Sequence, residues 1–123
     1  RDAKVVILGL TFKENCPDIR NSKVADIINR LREYDINPVV CDPWADAEEA
    51  KAVYGVDLVP VEQVTDADCL VVAVAHKQFA DLTLDQLDKF FAKVPNAEKV
   101  LIDVKNLYPR EALEKSGYGF WRL

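Results

Sequence analysis

The sequence predicts an α/β fold built on a doubly wound parallel sheet. Short apolar runs alternate strictly with segments of helical periodicity, and this alternation is typical of parallel sheets covered by helices. The runs Val5–Leu8 and Cys69–Ala75 are continuously apolar, as expected of strands buried on both faces. The 123 residues fit a single domain, so residues 1–123 are treated as one unit.

The first half of the chain supplies two strands and two helices in turn. A helix is predicted from Val24, because apolar residues recur at the spacing i, i+3, i+4, i+7 as far as Leu31. The segment Asn37–Cys41 reads as the second strand, with a proline tolerated near its start. A second helix is predicted over Asp46–Tyr54, and Gly55 is its expected C-terminal cap.

The second half continues the same alternation. In chain order, we predict a short strand (Val56–Val59), a helical turn (Val61–Thr65), the central strand (Cys69–Ala75) and a helix (Leu82–Val94). A buried strand (Val100–Asp103), a helix (Pro109–Lys115) and an edge strand (Gly119–Arg122) follow. The commonest order for such a Rossmann-like three-layer αβα domain is 3-2-1-4-5. Its switch point then lies between the first and fourth strands, where ligands bind outside the carboxyl ends.

Composition and charge narrow the classes of partner. The net charge is −5 and the pI is near 4.9, which argues against nucleic acid or an anionic membrane as the main partner. The three cysteines are scattered without CxxC spacing, so neither a zinc site nor a disulfide framework is expected and a reducing cytoplasm is favoured. No apolar run approaches 18 residues, so a soluble protein is expected.

The segment GLTFKENCPDIRNSKV, residues 9–24, follows the first strand at the predicted switch point. It is about twice as long as a usual strand-to-helix turn. Lys13 and Arg20 flank a helix N-terminus and have the chemistry to bind a phosphate or pyrophosphate. Phe12 could stack on a base or pack against a sugar. The alternative is a solvated loop in which Asp18 and Arg20 pair with each other.

Other residues near the switch point carry weaker signals. Gly9 stands alone where a dinucleotide fingerprint would place GxGxxG, so independent NAD binding is not expected. Asp42 is either a ribose-binding acid or a cap for the helix that follows. Cys16 and His76 could form a thiol–imidazole pair, as in a small hydrolase, but no third group is evident. Lys105 either reaches the crevice or is a surface lysine.

The wording of four stretches carries a family resemblance. GLTFKENCPDIRNSKV, VVCDPWAD, AVAHKQF and LIDVKNLY resemble the C-terminal, UDP-binding domain of the UDP-glucose/GDP-mannose dehydrogenase family, closest to its UDP-N-acetylhexosamine branch. The resemblance implies a cytoplasmic enzyme that oxidises the C6 alcohol of a UDP-sugar to a uronate for polysaccharide biosynthesis, reducing two NAD. An N-terminal NAD-binding domain and a central helical domain would precede this one, in a homodimer or higher oligomer. The absence of an initiator Met also suggests a piece of a longer protein.

The resemblance also implies roles for particular residues. Phe12 and Lys13 match the FK pair that contacts the sugar nucleotide, and Lys105 stands where many members carry an arginine near the UDP. Arg20 matches an arginine that reaches toward the NAD, and Asp18 would orient the loop. The family's catalytic cysteine lies in a GxCxxKD motif that this sequence lacks, so no catalytic or metal-binding residue is expected here. The alternative is a free-standing, non-catalytic module that binds a nucleotide or a protein partner.

Overall fold

A computed structural model describes residues 4–11, 23–74 and 76–122. Over these residues the chain forms one five-stranded parallel sheet in the order β2-β1-β3-β4-β5. The strands are β1 (Val5–Leu8), β2 (Val39–Cys41), β3 (Cys69–Val72), β4 (Val100–Asp103) and β5 (Gly119–Arg122). The helices are α1 (Val24–Glu33), α2 (Ala47–Tyr54), α3 (Lys77–Ala80), α4 (Leu84–Asp88) and α5 (Arg110–Ser116), with short 3₁₀ turns at Val61–Gln63 and Asn96–Glu98.

The sheet separates two apolar layers. Alternate residues of β1 point to opposite faces, so Val6 and Leu8 belong to one buried cluster and Val5 and Ile7 to the other. The first cluster receives apolar side chains from α4 and α5, and the second receives them from α1 and α2. Helices therefore cover both faces, which confirms the predicted doubly wound three-layer arrangement.

The prediction of a third strand at Val56–Val59 is wrong, although the segment lies beside β2 where that strand was expected. Residues Val56–Val59 form a single parallel bridge, between Leu58 and Val40, instead of a ladder. The Val59 amide donates to the Val40 carbonyl at 2.9 Å, so this segment still lies beside β2. Counting it as the third strand recovers the predicted order 3-2-1-4-5, with Gly119–Arg122 added beyond it as the expected edge strand.

The long helix predicted over Leu82–Val94 is also wrong in extent. Only Leu84–Asp88 is helical, started by Thr83 and Gln86 in a capping box. The chain then turns, and Phe91 forms an isolated parallel bridge with Ala67, whose amide donates to the Phe90 carbonyl at 2.9 Å. Tertiary pairing thus overrides the helical spacing of the apolar residues.

Gly9 allows the end of β1 to approach the end of β3. Its φ is +112°, a region that residues with side chains rarely adopt. A Cβ at this position would lie 2.7 Å from the Cβ of Val74 and 2.8 Å from its backbone nitrogen. The close approach of the Gly9 backbone to Val74 therefore explains why this position is a glycine.

We expect Gly9→Ala to lower the free energy of unfolding by roughly 2–5 kcal/mol, since it combines backbone strain with overpacking. Urea denaturation measures this. Gly55→Ala is the matched control: Gly55 caps α2 at a φ of +69°, but its added Cβ meets only the Arg32 side chain, at 3.9 Å. It should lose only about 1 kcal/mol. Equal losses in the two variants would contradict the close-approach argument.

Candidate functional site

The carboxyl ends of the strands carry a group of buried polar side chains. Thr11 follows β1, Asp42 follows β2, His76 follows β3 and Asp103 ends β4, and all four are buried. Buried polar groups destabilise a fold unless they are hydrogen-bonded, so their partners reveal what each one holds in place. The group lies at the switch point between β1 and β3, where the fold places its ligands.

Asp42 ties the end of β1 to the turn after β2. Its Oδ2 accepts the backbone amides of Leu10 at 2.6 Å and Thr11 at 3.0 Å. Its Oδ1 accepts the amides of Trp44 at 2.7 Å and Ala45 at 3.1 Å. Because Leu10 and Thr11 directly follow β1, this carboxylate fixes the direction in which the chain leaves that strand.

His76 completes the group around Asp42. Its Nε2 lies 2.9 Å from Oδ2 of Asp42 and 3.0 Å from Oγ1 of Thr11, and the side chain is fully buried. An ionised carboxylate only accepts, so Nε2 carries the proton and donates it to Asp42. In a Ser–His–Asp triad the acid and the nucleophile contact opposite ring nitrogens. Here the Thr11 hydroxyl and the Asp42 carboxylate contact the same nitrogen, so Thr11, His76 and Asp42 do not form a triad of that kind.

The Asp42 carboxylate is ionised at neutral pH. Burial is the largest influence and acts to raise the pKa of Asp42, but the hydrogen bonds from His76 and from the amides of Leu10, Thr11 and Trp44 together outweigh it and hold that pKa below its ordinary value.

The same contacts bear on both roles considered for Asp42, ribose binding and helix capping. A carboxylate offers about four lone-pair directions, and the donors named above already occupy them. A ribose hydroxyl would have to compete with these donors for the same oxygens, which argues against the ribose-binding interpretation. The helix-cap interpretation is wrong, because Asp46 caps α2 by accepting the Glu49 amide at 3.0 Å.

A second buried carboxylate shapes the turn after β4. Asp103 accepts the amide of Leu107 at 2.9 Å and that of Tyr108 at 2.8 Å. The Tyr108 hydroxyl donates to the Phe79 carbonyl at 3.0 Å, which joins this turn to α3. Lys105 lies within the turn and is exposed. The structure therefore presents Lys105 to solvent at the carboxyl edge of the sheet, from an anchored backbone.

The remaining predicted site residues, Phe12, Lys13, Asp18 and Arg20, lie outside the described residues, as does Cys16. The anchoring roles of Asp42, Asp103 and Tyr108 were not predicted. The sequence signal for the two aspartates is their place directly after or at the end of a buried apolar run, as in VVCD and LID. That pattern predicts a strand end, but it does not reveal which distant amides the carboxylate will accept.

An apolar cleft of about 420 Å³ lies beyond the end of β2. It is bounded by the segment Leu58–Glu62 and by Phe79 and Leu82. Among the described residues that line it, two are acidic, Asp42 and Glu62, and none is lysine or arginine. A diphosphate needs cations or backbone amides, and the described side chains of this lining supply no cation.

Within the described ranges, no cluster of three or more histidine, cysteine or acidic side chains is arranged to hold a metal ion. Across the same ranges, no helix has the length and apolar character needed to cross a membrane.

These features define the class of protein: a Rossmann-like domain that holds one loop and one turn at its switch point. The model of the UDP-glucose/GDP-mannose dehydrogenase family, UDP binding domain, matches residues 6–110. The chain belongs to that family, as the resemblance of its motifs indicated.

Relatives and solved structures agree with this assignment. A UDP-N-acetyl-D-glucosamine 6-dehydrogenase from Pseudomonas aeruginosa is 44% identical over 105 residues, which are 85% of this chain and 24% of the relative. One from Salmonella typhi is 40% identical over 111 residues, 89% of this chain and 25% of the relative. The crystal structure of an NDP-N-acetyl-D-galactosaminuronic acid dehydrogenase from Methanosarcina mazei Go1 superposes with a TM-score of 0.81 at 25% identity, over 98% of this chain and 24% of the other. The chain thus spans about a quarter of the length of the curated relatives it matches.

We expect Asp42→Asn to lower the free energy of unfolding at pH 7 by roughly 3 kcal/mol, because the Asn amide would direct N–H groups at backbone N–H groups. The pKa of Asp42 is lower in the folded than in the unfolded chain. Its contribution is therefore complete above about pH 4 and is lost as the pH falls through the folded value, so the deficit of the variant should shrink in acid.

Urea denaturation across this pH range measures the deficit. Asp57→Asn is the control, since Asp57 is exposed and pairs with Lys51 at 3.2 Å; it should lose less than about 1 kcal/mol. A deficit for Asp42→Asn that stays constant with pH would contradict the role of the ionised carboxylate.

The described cysteines should resist alkylation in the folded protein. Burial raises the pKa of the Cys41 thiol to about 12, with Glu62 and Asp42 adding to it. Burial also raises the pKa of Cys69 to about 11, with a contribution from Asp68. At pH 8 less than about one thiol in a thousand is then ionised, and the thiolate is the reactive form. Peptide mapping after iodoacetamide should find both unlabelled until guanidinium chloride unfolds the chain; labelling of either in the native protein would contradict the burial of Cys41 and the partial burial of Cys69.

Proposed function

We propose that this chain is the domain that binds the UDP moiety of the substrate in an NAD-dependent UDP-sugar 6-dehydrogenase, with a UDP-N-acetylhexosamine as the substrate class. The observation that carries the proposal is the match of residues 6–110 to the UDP binding domain of the family. The substrate class is supported by the relatives at 44% and 40% identity, both of them UDP-N-acetyl-D-glucosamine 6-dehydrogenases.

Three residues are proposed to contact the sugar nucleotide. Phe12 packs against the nucleotide sugar, while Lys13 and Lys105 neutralise the diphosphate from the two sides of the switch point. In a protein of net charge −5, an anion needs local cations, and charge-assisted hydrogen bonds contribute about 1.5–3 kcal/mol each. The position of Lys105 supports its part, since it is exposed on a turn anchored by Asp103.

The residues of this chain do not fit an NAD site of the usual Rossmann kind. The end of β1 has the lone Gly9 in place of GxGxxG, and the acid after β2 has its lone pairs occupied by protein donors. We therefore propose that the NAD is held mainly by another domain. Arg20 is proposed to reach toward it, and Asp18 to orient the loop.

The whole protein is proposed to place an NAD-binding domain and a central helical domain before this one, and to assemble as a homodimer or higher oligomer. The coverage of about a quarter of each relative supports a multidomain protein over a free-standing module. We also propose a cytoplasmic location, a role in polysaccharide biosynthesis, and no catalysis by this domain alone.

The proposal predicts that the chain binds UDP through its lysines. In an NMR titration with UDP-N-acetylglucosamine, the amides of Phe12, Lys13 and Lys105 should shift at millimolar ligand. In the full-length enzyme, Lys13→Ala should raise the KM for the UDP-sugar by about tenfold or more, since one charged contact to phosphate is lost.

The control is Lys51→Ala, which removes an exposed cation that pairs with Asp57 on the β2 side of the domain. It should leave the KM within about twofold of the wild-type value, because exposed pairs contribute little. An unchanged KM for Lys13→Ala, or amides of Phe12, Lys13 and Lys105 that stay still, would contradict the proposal.

A further inference from the structure

The end of β1 and the turn that carries Lys105 are joined by a buried series of contacts. It begins at Thr11, whose Oγ1 lies 3.0 Å from Nε2 of His76. The His76 carbonyl accepts the Phe79 amide at 2.9 Å, which starts the short helix α3. The rings of His76 and Phe79 also pack with their centroids 5.7 Å apart. The end of β1 is thereby connected to Phe79.

The series continues from Phe79 to the turn after β4. The Phe79 carbonyl accepts the Tyr108 hydroxyl at 3.0 Å, and the Tyr108 amide donates to Asp103 at 2.8 Å. Lys105 lies between Asp103 and Tyr108 in the chain. Every residue that makes these contacts is buried, at 5% exposure or less. We call the series Thr11–His76–Phe79–Tyr108–Asp103 the strap.

We propose that His76 and Tyr108 are positioning residues for sugar-nucleotide binding, acting through the strap to hold the end of β1 at Thr11 and the turn of Lys105 in register. The inference rests on the proposed function, because it assigns Lys13 and Lys105 to one ligand. It adds that the affinity depends on side chains that do not touch that ligand.

The physical basis is the stiffness of a packed interior. Close-packed side chains transmit small displacements, and the Tyr108 hydroxyl bond is the side-chain hydrogen bond that links α3 to the turn after β4 within the described part of the chain. Without this bond, the turn of Lys105 is still held by Asp103, but no side-chain hydrogen bond among the described residues fixes its position relative to α3. Two cations that must meet one diphosphate are sensitive to such a shift, since charge-assisted hydrogen bonds depend on distance and angle.

Two tyrosines provide a matched test. Tyr108→Phe removes the hydroxyl bond to Phe79, and Tyr118→Phe removes the hydroxyl bond to Asp88, 2.6 Å long, at the opposite, amino end of the sheet. Both variants lose one hydrogen bond of a buried tyrosine, so similar small losses of stability are expected. In calorimetry with the full-length protein, Tyr108→Phe should bind UDP about three- to tenfold more weakly, and Tyr118→Phe within about twofold of the wild type.

A double-mutant cycle tests whether the two ends are coupled. Thr11→Val removes the hydroxyl next to His76 and should also weaken UDP binding by about three- to tenfold, while Thr11→Ser restores it. The double variant Thr11→Val/Tyr108→Phe should lose less affinity than the product of the single losses, because one break already releases the strap. In the enzyme, these variants should raise the KM for the UDP-sugar and leave kcat within about twofold.

The outcomes separate this inference from the proposed function. If the wild type fails to bind UDP, the proposed function and the strap both fall. If the wild type binds and Lys13→Ala weakens binding, but Tyr108→Phe matches Tyr118→Phe, only the strap is overturned. Independent, multiplicative losses in the double-mutant cycle would also overturn it.

Discussion

The Asp42 carboxylate lies buried where the ends of β1 and β2 meet the segment after β3, and an ionised group there is unstable unless hydrogen bonds replace its water. Donors from three segments supply those bonds: the Leu10 and Thr11 amides, the amides of the turn after β2, and the His76 ring. Because the carboxylate is stabilised by donors from all three segments, it keeps these segments in one arrangement. The direction in which the chain leaves β1 at Leu10 and Thr11 is a consequence of that arrangement.

Asp103, at the end of β4, is a second buried carboxylate that is held by backbone amides. Each carboxylate follows or ends a buried strand and accepts backbone amides of the turn that leaves the sheet. Rigid, fully bonded backbone at these points suits the proposed site, in which separate cations would meet one diphosphate.

The sequence predicted most of the fold, since continuous apolar runs and helical spacing report burial directly. It failed at Val56–Val59 and Leu82–Val94, where the outcome depends on pairing with Val40 and Ala67 in distant segments. The candidate site divides in the same way. The wording of the motif that contains Lys105 indicated the family, but the role of Asp42 could not be predicted, because its partners Leu10 and His76 lie 32 and 34 residues away in the chain.

A crystal structure of the full-length protein with UDP-N-acetylglucosamine tests the central claim most directly, namely that the nucleotide binds at the switch point between anchored segments. The account predicts diphosphate oxygens within hydrogen-bonding distance of Lys13 and Lys105, with every Asp42 contact retained. It is contradicted if the nucleotide occupies the apolar cleft bounded by Leu58–Glu62, or if the ligand displaces the Leu10 and Thr11 amides from Asp42.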